Sequence, residues 1–410
     1  MVEYITVLMV LLTLGFLGTK LADYLHIPHS VFLVVMGIAA GFILRMQEGV
    51  PLQEIQLLFP EIIMYVLLPP LIFESAYNFD SHELKRDIVP ITALAVVSLL
   101  LSTILVGLGM HYLLGLPLIP SLVFGALISA TDPVAVVALF KEIGAPKRLN
   151  SLVEGESLLN DGTAIVMFRV MLGFAAVPLF NAEAVASGVV QFIQVAAGGV
   201  VVGAVFAGLM SLALRMTSAM AAAQLGLTVA AAYLSFLVAD HVFHVSGVIA
   251  TMTVGLFLGT RARLELNKEA LHGMHHVWEF MSLTANIIVF FGVGLTVDPG
   301  IVGQSLAYVP VTVLLIYAIR AISVWAVVPV INWTKVARPI SGAYQAILIW
   351  GGLRGGLALA LVLRLFSPDG LRAIRACIDA LPKSKRTPQI KSFEAQFERY
   401  LATITPAVAF

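Results

Sequence analysis

The chain has 410 residues, 60% hydrophobic and 12% charged, with a mean hydropathy of +0.97; a soluble domain carries about 25% charged residues. A soluble protein this apolar could not clothe its surface in polar groups. The formal net charge of zero excludes the basic footprint of a nucleic-acid binder, and the single Cys377 excludes an intramolecular disulfide framework.

A membrane span needs about 20 apolar residues. Twelve stretches answer that description: 4–20, 29–46, 57–76, 88–114, 118–140, 154–174, 184–213, 222–240, 245–260, 277–296, 303–330 and 343–366. The first lacks the basic flank and small-residue cleavage site of a signal peptide and reads as a span. The pattern predicts an all-α polytopic membrane protein, with a twelve-span domain over residues 1–366 and a polar, basic stretch over 367–410. That stretch ends in an eleven-residue apolar run, Tyr400 to Phe410, which reads as an incomplete thirteenth helix.

The connections orient the chain. Those after odd-numbered spans hold twelve basic residues, including Lys85, Arg86, Lys141, Lys147 and Arg148; those after even-numbered spans, up to the tenth, hold only Arg45. The positive-inside rule then places the odd connections in the cytoplasm and the N-terminus outside. The basic stretch after span twelve runs against this rule.

Charges inside spans are costly and mark functional sites by default. Span three ends in Leu67-Leu-Pro-Pro-Leu-Ile-Phe-Glu74. The prolines distort the helix ahead of Glu74, which is either a ligand carboxylate or an interfacial acid. Span five reads Ser129-Ala-Thr131-Asp132-Pro133. Pro133 removes a backbone donor and disfavours helix at Asp132. The result is either a proline kink capped locally by Asp132 or a true break, which survives in a membrane only where it lines a polar cavity. Span six opens Glu154-Gly-Glu156-Ser157-Leu-Leu-Asn160-Asp161. Ser157 shares a helix face with Asn160 and Asp161, grouping a hydroxyl, an amide oxygen and a carboxylate of the kind hard cations prefer. Glu154 suits a solvated N-terminal cap; Asp161 lies over a turn deeper.

Span eleven carries Arg320, and span twelve carries Gly351-Gly-Leu-Arg354-Gly-Gly356. Four glycines weaken that helix, either for close packing or as a second break. Interrupted helices in matching halves point to an inverted repeat with a binding site between them. The intramembrane acids Glu74, Asp132, Glu156 and Asp161 outnumber Arg320 and Arg354, so the surplus carboxylates need a proton or a cation to become neutral. His241 and His244 have metal-like spacing but read as non-ligands. His272, His275 and His276 read as solvated interfacial groups.

The segments Leu68-Pro-Pro-Leu-Ile-Phe-Glu74, Thr131-Asp-Pro-Val-Ala-Val136, Glu154-Gly-Glu-Ser-Leu-Leu-Asn-Asp161 and Gly351-Gly-Leu-Arg-Gly355 carry a family resemblance. Over residues 4 to 366 the chain resembles the electroneutral, bacterial NhaP-type branch of the monovalent cation:proton antiporters, kin to the animal sodium/proton exchangers. The resemblance implies an inverted-repeat antiporter fold with two broken, crossing helices, around Thr131-Pro133 and Gly351-Gly356. It implies a homodimer in a bacterial plasma membrane, with a dimerisation part and a moving core interleaved in sequence. It assigns the transported Na⁺ and H⁺ to Asp161, Glu74, Ser157, Asn160 and the carbonyl of Thr131. It pairs Glu156 with Arg320 and sets Asp132 and Arg354 against the half-helix ends. No enzyme activity, cofactor or nucleic acid is expected. Electrogenic relatives have two aspartates where this chain has Asn160-Asp161, so one-for-one exchange is implied. The family has a full last helix where this chain has its polar stretch. The competing readings are a cation-coupled transporter of an organic solute, which needs a roomier pocket, and an intramembrane hydrolase, for which no nucleophile elbow is present.

Overall fold

The computed structural model describes residues 2–25, 27–46, 59–174, 182–260, 266–297 and 309–352, and the regular structure within them is entirely helical. In chain order the helices are α1 (Val2–Leu25), α2 (His29–Arg45), α3 (Phe59–Asn78), α4 (His82–Leu114), α5 (Leu118–Ser129), α6 (Val134–Ile143) and α7 (Lys147–Phe174). There follow α8 (Ala182–Met216), α9 (Ala221–Val242), α10 (Gly247–Thr260), α11 (Lys268–Thr296), α12 (Val309–Thr334) and α13 (Gly342–Trp350). Helices α3, α4, α7, α8, α9, α11 and most of α12 are long and apolar enough to cross a bilayer. Much of the outer surface is apolar: Val201, Val205, Leu209 and Leu212 line an exposed face of α8. Such a face belongs in lipid.

The helices pack in two groups that alternate along the chain. One holds α1, α2, α3, α8, α9, α10 and α11; the other holds α4, α5, α6, α7, α12 and α13. The groups meet chiefly along α7, which packs on α8 and α10. Within each group, glycines let backbones touch, as helices in lipid require. Gly37 and Gly41 of α2 face α11, where a Cβ at Gly37 would lie 2.1 Å from the carbonyl oxygen of Phe291. The pairs Gly199/Gly203 and Gly255/Gly259 do the same for α8 on α10 and for α10 on α3. A Gly37→Leu substitution should lower the thermal stability of the detergent-solubilised protein, since overpacking costs about 1–3 kcal/mol. Gly208→Leu, where a Cβ meets nothing within 4 Å, should melt as the wild type does.

Prolines shape the site-bearing helices. Pro69 and Pro70 in α3 cannot donate, so Pro70 leaves the carbonyl of Val66 without its usual helical partner. The chain widens to a π-helical turn over Ile63–Leu67, and the Tyr233 hydroxyl donates to Val66 O at 2.7 Å. Helix α4 kinks at Asp87 ahead of Pro90 and then widens over Ala93–Ser98. A third π-helical turn, Val238–Val242, ends α9. Single π-turns of this kind concentrate at functional sites.

Helix α7 begins at Lys147, seven residues before the start expected from hydropathy. The carbonyl of Pro146 accepts from the amides of Leu149 and Asn150, so the cap falls there. Glu154 is therefore in the helix interior, which corrects its reading as an N-terminal cap. Hydropathy misses these turns because they are polar on one side, where Arg148 meets Asp87.

Candidate functional site

The helix expected over 118–140 is two half-helices. α5 stops at Ser129, Ala130 is extended, Pro133 has φ −92° and ψ 4°, and α6 starts at Val134. The break exposes the backbone polar groups of Thr131, and α7 satisfies them. Ser157 Oγ donates to the Thr131 carbonyl. Asn160 clamps the same residue at two points: its Nδ2 donates to Thr131 Oγ1 at 2.6 Å, and its Oδ1 accepts from the Thr131 amide at 3.4 Å. Thr131, Ser157 and Asn160 are all buried. Asp161 follows directly on α7, only partly covered, within electrostatic range of Asp132 in the break.

Asp161 lies fourteen residues into α7, a depth of ~21 Å at 1.5 Å per residue. The oxygen-rich groups beside it are the Thr131 carbonyl and the Ser157 hydroxyl. Asn160 spends both ends of its amide on Thr131 and so holds the break in shape.

Glu74 stands on α3, in the other helix group, half-buried, and one of its carboxylate oxygens accepts from Asn78 Nδ2 at 2.6 Å. Its helix packs on α7.

Directly before Ser157, Glu156 is 2% exposed and is paired with Arg320 of α12, with nitrogen–oxygen distances of 2.6 and 2.9 Å. Arg320 also donates from Nε and Nη2 to the carbonyl of Leu348, at 3.3 and 3.0 Å. Leu348 sits in the last turn of α13, which stops at Trp350 with Gly351 as its C-cap. Terminal carbonyls lack helical partners and carry negative partial charge; Arg320 answers both. A Cβ at Gly351 would lie 3.3 Å from Val136 of α6, so the end of α13 lies against the half-helix that follows the Thr131 break. Arg354 and the rest of Gly351–Gly356 beyond Gly352 lie outside the described residues, as does the 367–410 stretch.

Three buried or half-buried charges escaped the sequence reading. Asp87, fully buried, holds Arg148 at 3.0 Å, and Arg148 also donates to the carbonyls of Arg338 and Pro339. Arg169 of α7 pairs with Asp240 of α9, which also accepts from the Tyr65 hydroxyl at 3.3 Å. Both Arg169 and Asp240 fall inside predicted spans, so the cost of a charge in lipid was a signal that could have found them. His241 lies beside this pair, 3.8 Å from Asp240, and no metal-holding cluster occurs among the described residues. His272, His275 and His276 are exposed on α11.

Apolar helices, one of them broken at Thr131 where polar side chains converge, define a polytopic membrane protein of the broken-helix kind. A family model described as "Sodium/hydrogen exchanger, transmembrane" matches residues 7–370, and the chain belongs to that family. It is 34% identical to the Na(+)/H(+) antiporter ApNhaP of Aphanothece halophytica, over 88% of this chain and 67% of that one. It is 32% identical to the low-affinity Na(+)/H(+) antiporter NhaS1 of Synechocystis, over 92% of this chain and 70% of that one. Sodium/hydrogen exchanger 7 of Arabidopsis thaliana is 32% identical over 88% of this chain, which spans only 32% of that longer protein. In fold the chain is similar to the sodium proton antiporter MjNhaP1 from Methanocaldococcus jannaschii, with a TM-score of 0.75 at 22% identity, over 88% of this chain and 87% of that one.

Proposed function

We propose that this protein exchanges Na⁺, or Li⁺ or K⁺, for H⁺ across a cell membrane, one for one, with Asp161 as the shared site. The observation that carries this reading is a single partly covered carboxylate deep in α7, beside a broken helix whose carbonyl at Thr131 is turned to Ser157. The relatives' names, which specify Na(+)/H(+) antiport, support it.

Asp161 takes either a proton or a cation that has shed part of its hydration. Each neutralises a charge that is costly to carry through an apolar barrier. In the cation-loaded state the Thr131 carbonyl, the Ser157 hydroxyl and Glu74 supply further oxygens, while Asn160, which does not titrate, keeps the exchange electroneutral. The site then moves with the group α4–α7, α12 and α13 against the other group, which in a homodimer supplies the stationary surface, and so gives alternating access. Glu156 and Arg320 compensate each other, and Asp132 and Arg354 offset the half-helix ends. The N-terminus lies outside, and the exchange serves sodium and pH homeostasis. Neither part of the cycle calls for a cofactor.

Purified protein in vesicles loaded with a pH-sensitive dye tests this directly. Addition of Na⁺ or Li⁺ should move protons in the opposite direction at a rate unaffected by collapsing the membrane potential. A rate that rises or falls when the potential is clamped would rule out one-for-one exchange, and no proton movement with any of the three cations would rule out antiport.

A further inference from the structure

Helix α7 is held by ion pairs at three depths, and they differ in what they join. Near its start, Arg148 binds Asp87 of α4 and the carbonyls of Arg338 and Pro339 between α12 and α13. At mid-depth, Glu156 binds Arg320 of α12. All these partners belong to the helix group that contains α7. Arg169 is different. It lies eight residues past Asp161 on α7, ~12 Å along the axis, and its partner Asp240 belongs to α9 in the other group. Tyr65 of α3, also in that group, donates to the second oxygen of Asp240. Both partner residues sit in π-helical turns, Ile63–Leu67 and Val238–Val242. The Tyr65 ring is edge-on to Phe236 and 4.9 Å from the His241 ring, so the aspartate is backed by a packed wall. Asp240 is 7% exposed in its side chain and Arg169 26%, so the pair is shielded but reachable by water.

We propose that Arg169 and Asp240 form a latch that closes the outer side of the transport site: the pair fastens the site-bearing helix to α9 and α3 while the site faces inward, and must part for the site to face outward. This rests on the antiport reading and on the outward placement of the C-terminal end of α7. The Arg169–Asp240 pair thus ties α7 to the other group across the boundary between them. An ion pair across a sliding boundary acts differently from one within a rigid body. It stabilises one of two arrangements, and its loss shifts the balance between them rather than removing the site. Arg169 and Asp240 are thus positioning residues, acting through the orientation of Asp161.

The test uses full-length protein in vesicles of both orientations, with half-saturating Na⁺ read by the pH dye on each face. Asp240→Asn and Arg169→Gln should each lower the half-saturating concentration at the outer face and raise it at the inner face, by roughly fivefold, with little change in maximal rate. In a Cys377→Ser background, Arg169→Cys with Asp240→Cys joined by a short, reducible bifunctional thiol reagent should stop exchange, and reductant should restore it. Half-saturation unchanged on both faces, or shifted the same way on both, overturns the latch. So does full-rate exchange by the cross-linked protein. Asp161→Asn measured beside these variants separates the two ideas. If it exchanges like the wild type, the placing of the shared site at Asp161 fails; if the wild type itself moves no protons with any of the three cations, the antiport reading fails; if Asp161→Asn is dead while the Arg169 and Asp240 variants behave as wild type, only the latch fails.

Discussion

Asp161→Asn should abolish cation/proton exchange while the protein still inserts and folds. Asparagine has nearly the shape of aspartate and can occupy the same place on α7. It has no titratable proton and offers a cation no counter-charge. Loss of one charge partner in a setting shielded from water costs several kcal/mol, and each 1.4 kcal/mol is tenfold. Exchange should therefore fall by more than about a hundredfold. The clamp between Asn160 and Thr131 involves neither Asp161 oxygen, so the break should persist. The variant should elute from a sizing column as the wild type does. Asp161→Glu keeps the charge one methylene further out, and should retain exchange with altered cation affinity. Vesicle dye assays on both variants check this, and a wild-type rate for the asparagine variant would remove Asp161 from the mechanism.

Breaking the Glu156–Arg320 pair should be the most damaging single change to the fold. The pair is buried, with side-chain exposures of 3% and 7%. Removing one partner strands the other's charge, a loss of about 3–5 kcal/mol. Arg320→Met should be worse than Glu156→Gln, because Arg320 also holds the Leu348 carbonyl at the end of α13. Glu156→Gln combined with Arg320→Met should regain part of what Arg320→Met alone loses, since no carboxylate is then left unpaired. It should still melt below Glu156→Gln, because the Leu348 carbonyl remains without its donor. Thermal melts of the purified variants give these rankings; single variants that melt like the wild type would contradict the buried-pair account.

The interruption of span five was legible because Asp132-Pro133 denies the chain both a donor and a helical dihedral at a depth where nothing else can compensate. The alternation of basic connections and the oxygen-rich face of α7 were legible for a related reason: both follow from period and depth, which a sequence carries. Partnership is not carried in that way. Asp87 and Arg148 are 61 residues apart, and Arg169 and Asp240 are 71 apart. Hydropathy sees each as an isolated polar residue, and only the helix packing shows that they meet. The same limit hid the capping of α13 by Arg320, whose charge was noticed but whose carbonyl partner 28 residues away was not. Glycine pairs such as Gly37 and Gly41 are visible as a spacing, yet the spacing does not name α11 as the helix they approach. The π-helical turns were opaque for another reason: prolines announce a disturbance at Pro69, Pro70 and Pro90, but whether the helix kinks or widens depends on what is at hand to donate to the freed carbonyl, as the Tyr233 hydroxyl does to Val66.

Competition at one carboxylate can be measured at equilibrium, without transport. Calorimetric titration of Na⁺ or Li⁺ into purified protein, in buffers of differing ionisation enthalpy across a range of pH, counts the protons released per ion bound. If Asp161 must surrender its proton to accept a cation, acidification should weaken binding up to tenfold per pH unit while proton release approaches one per ion. Cation affinity that stays level through the acid range, with no proton released, would contradict that exchange.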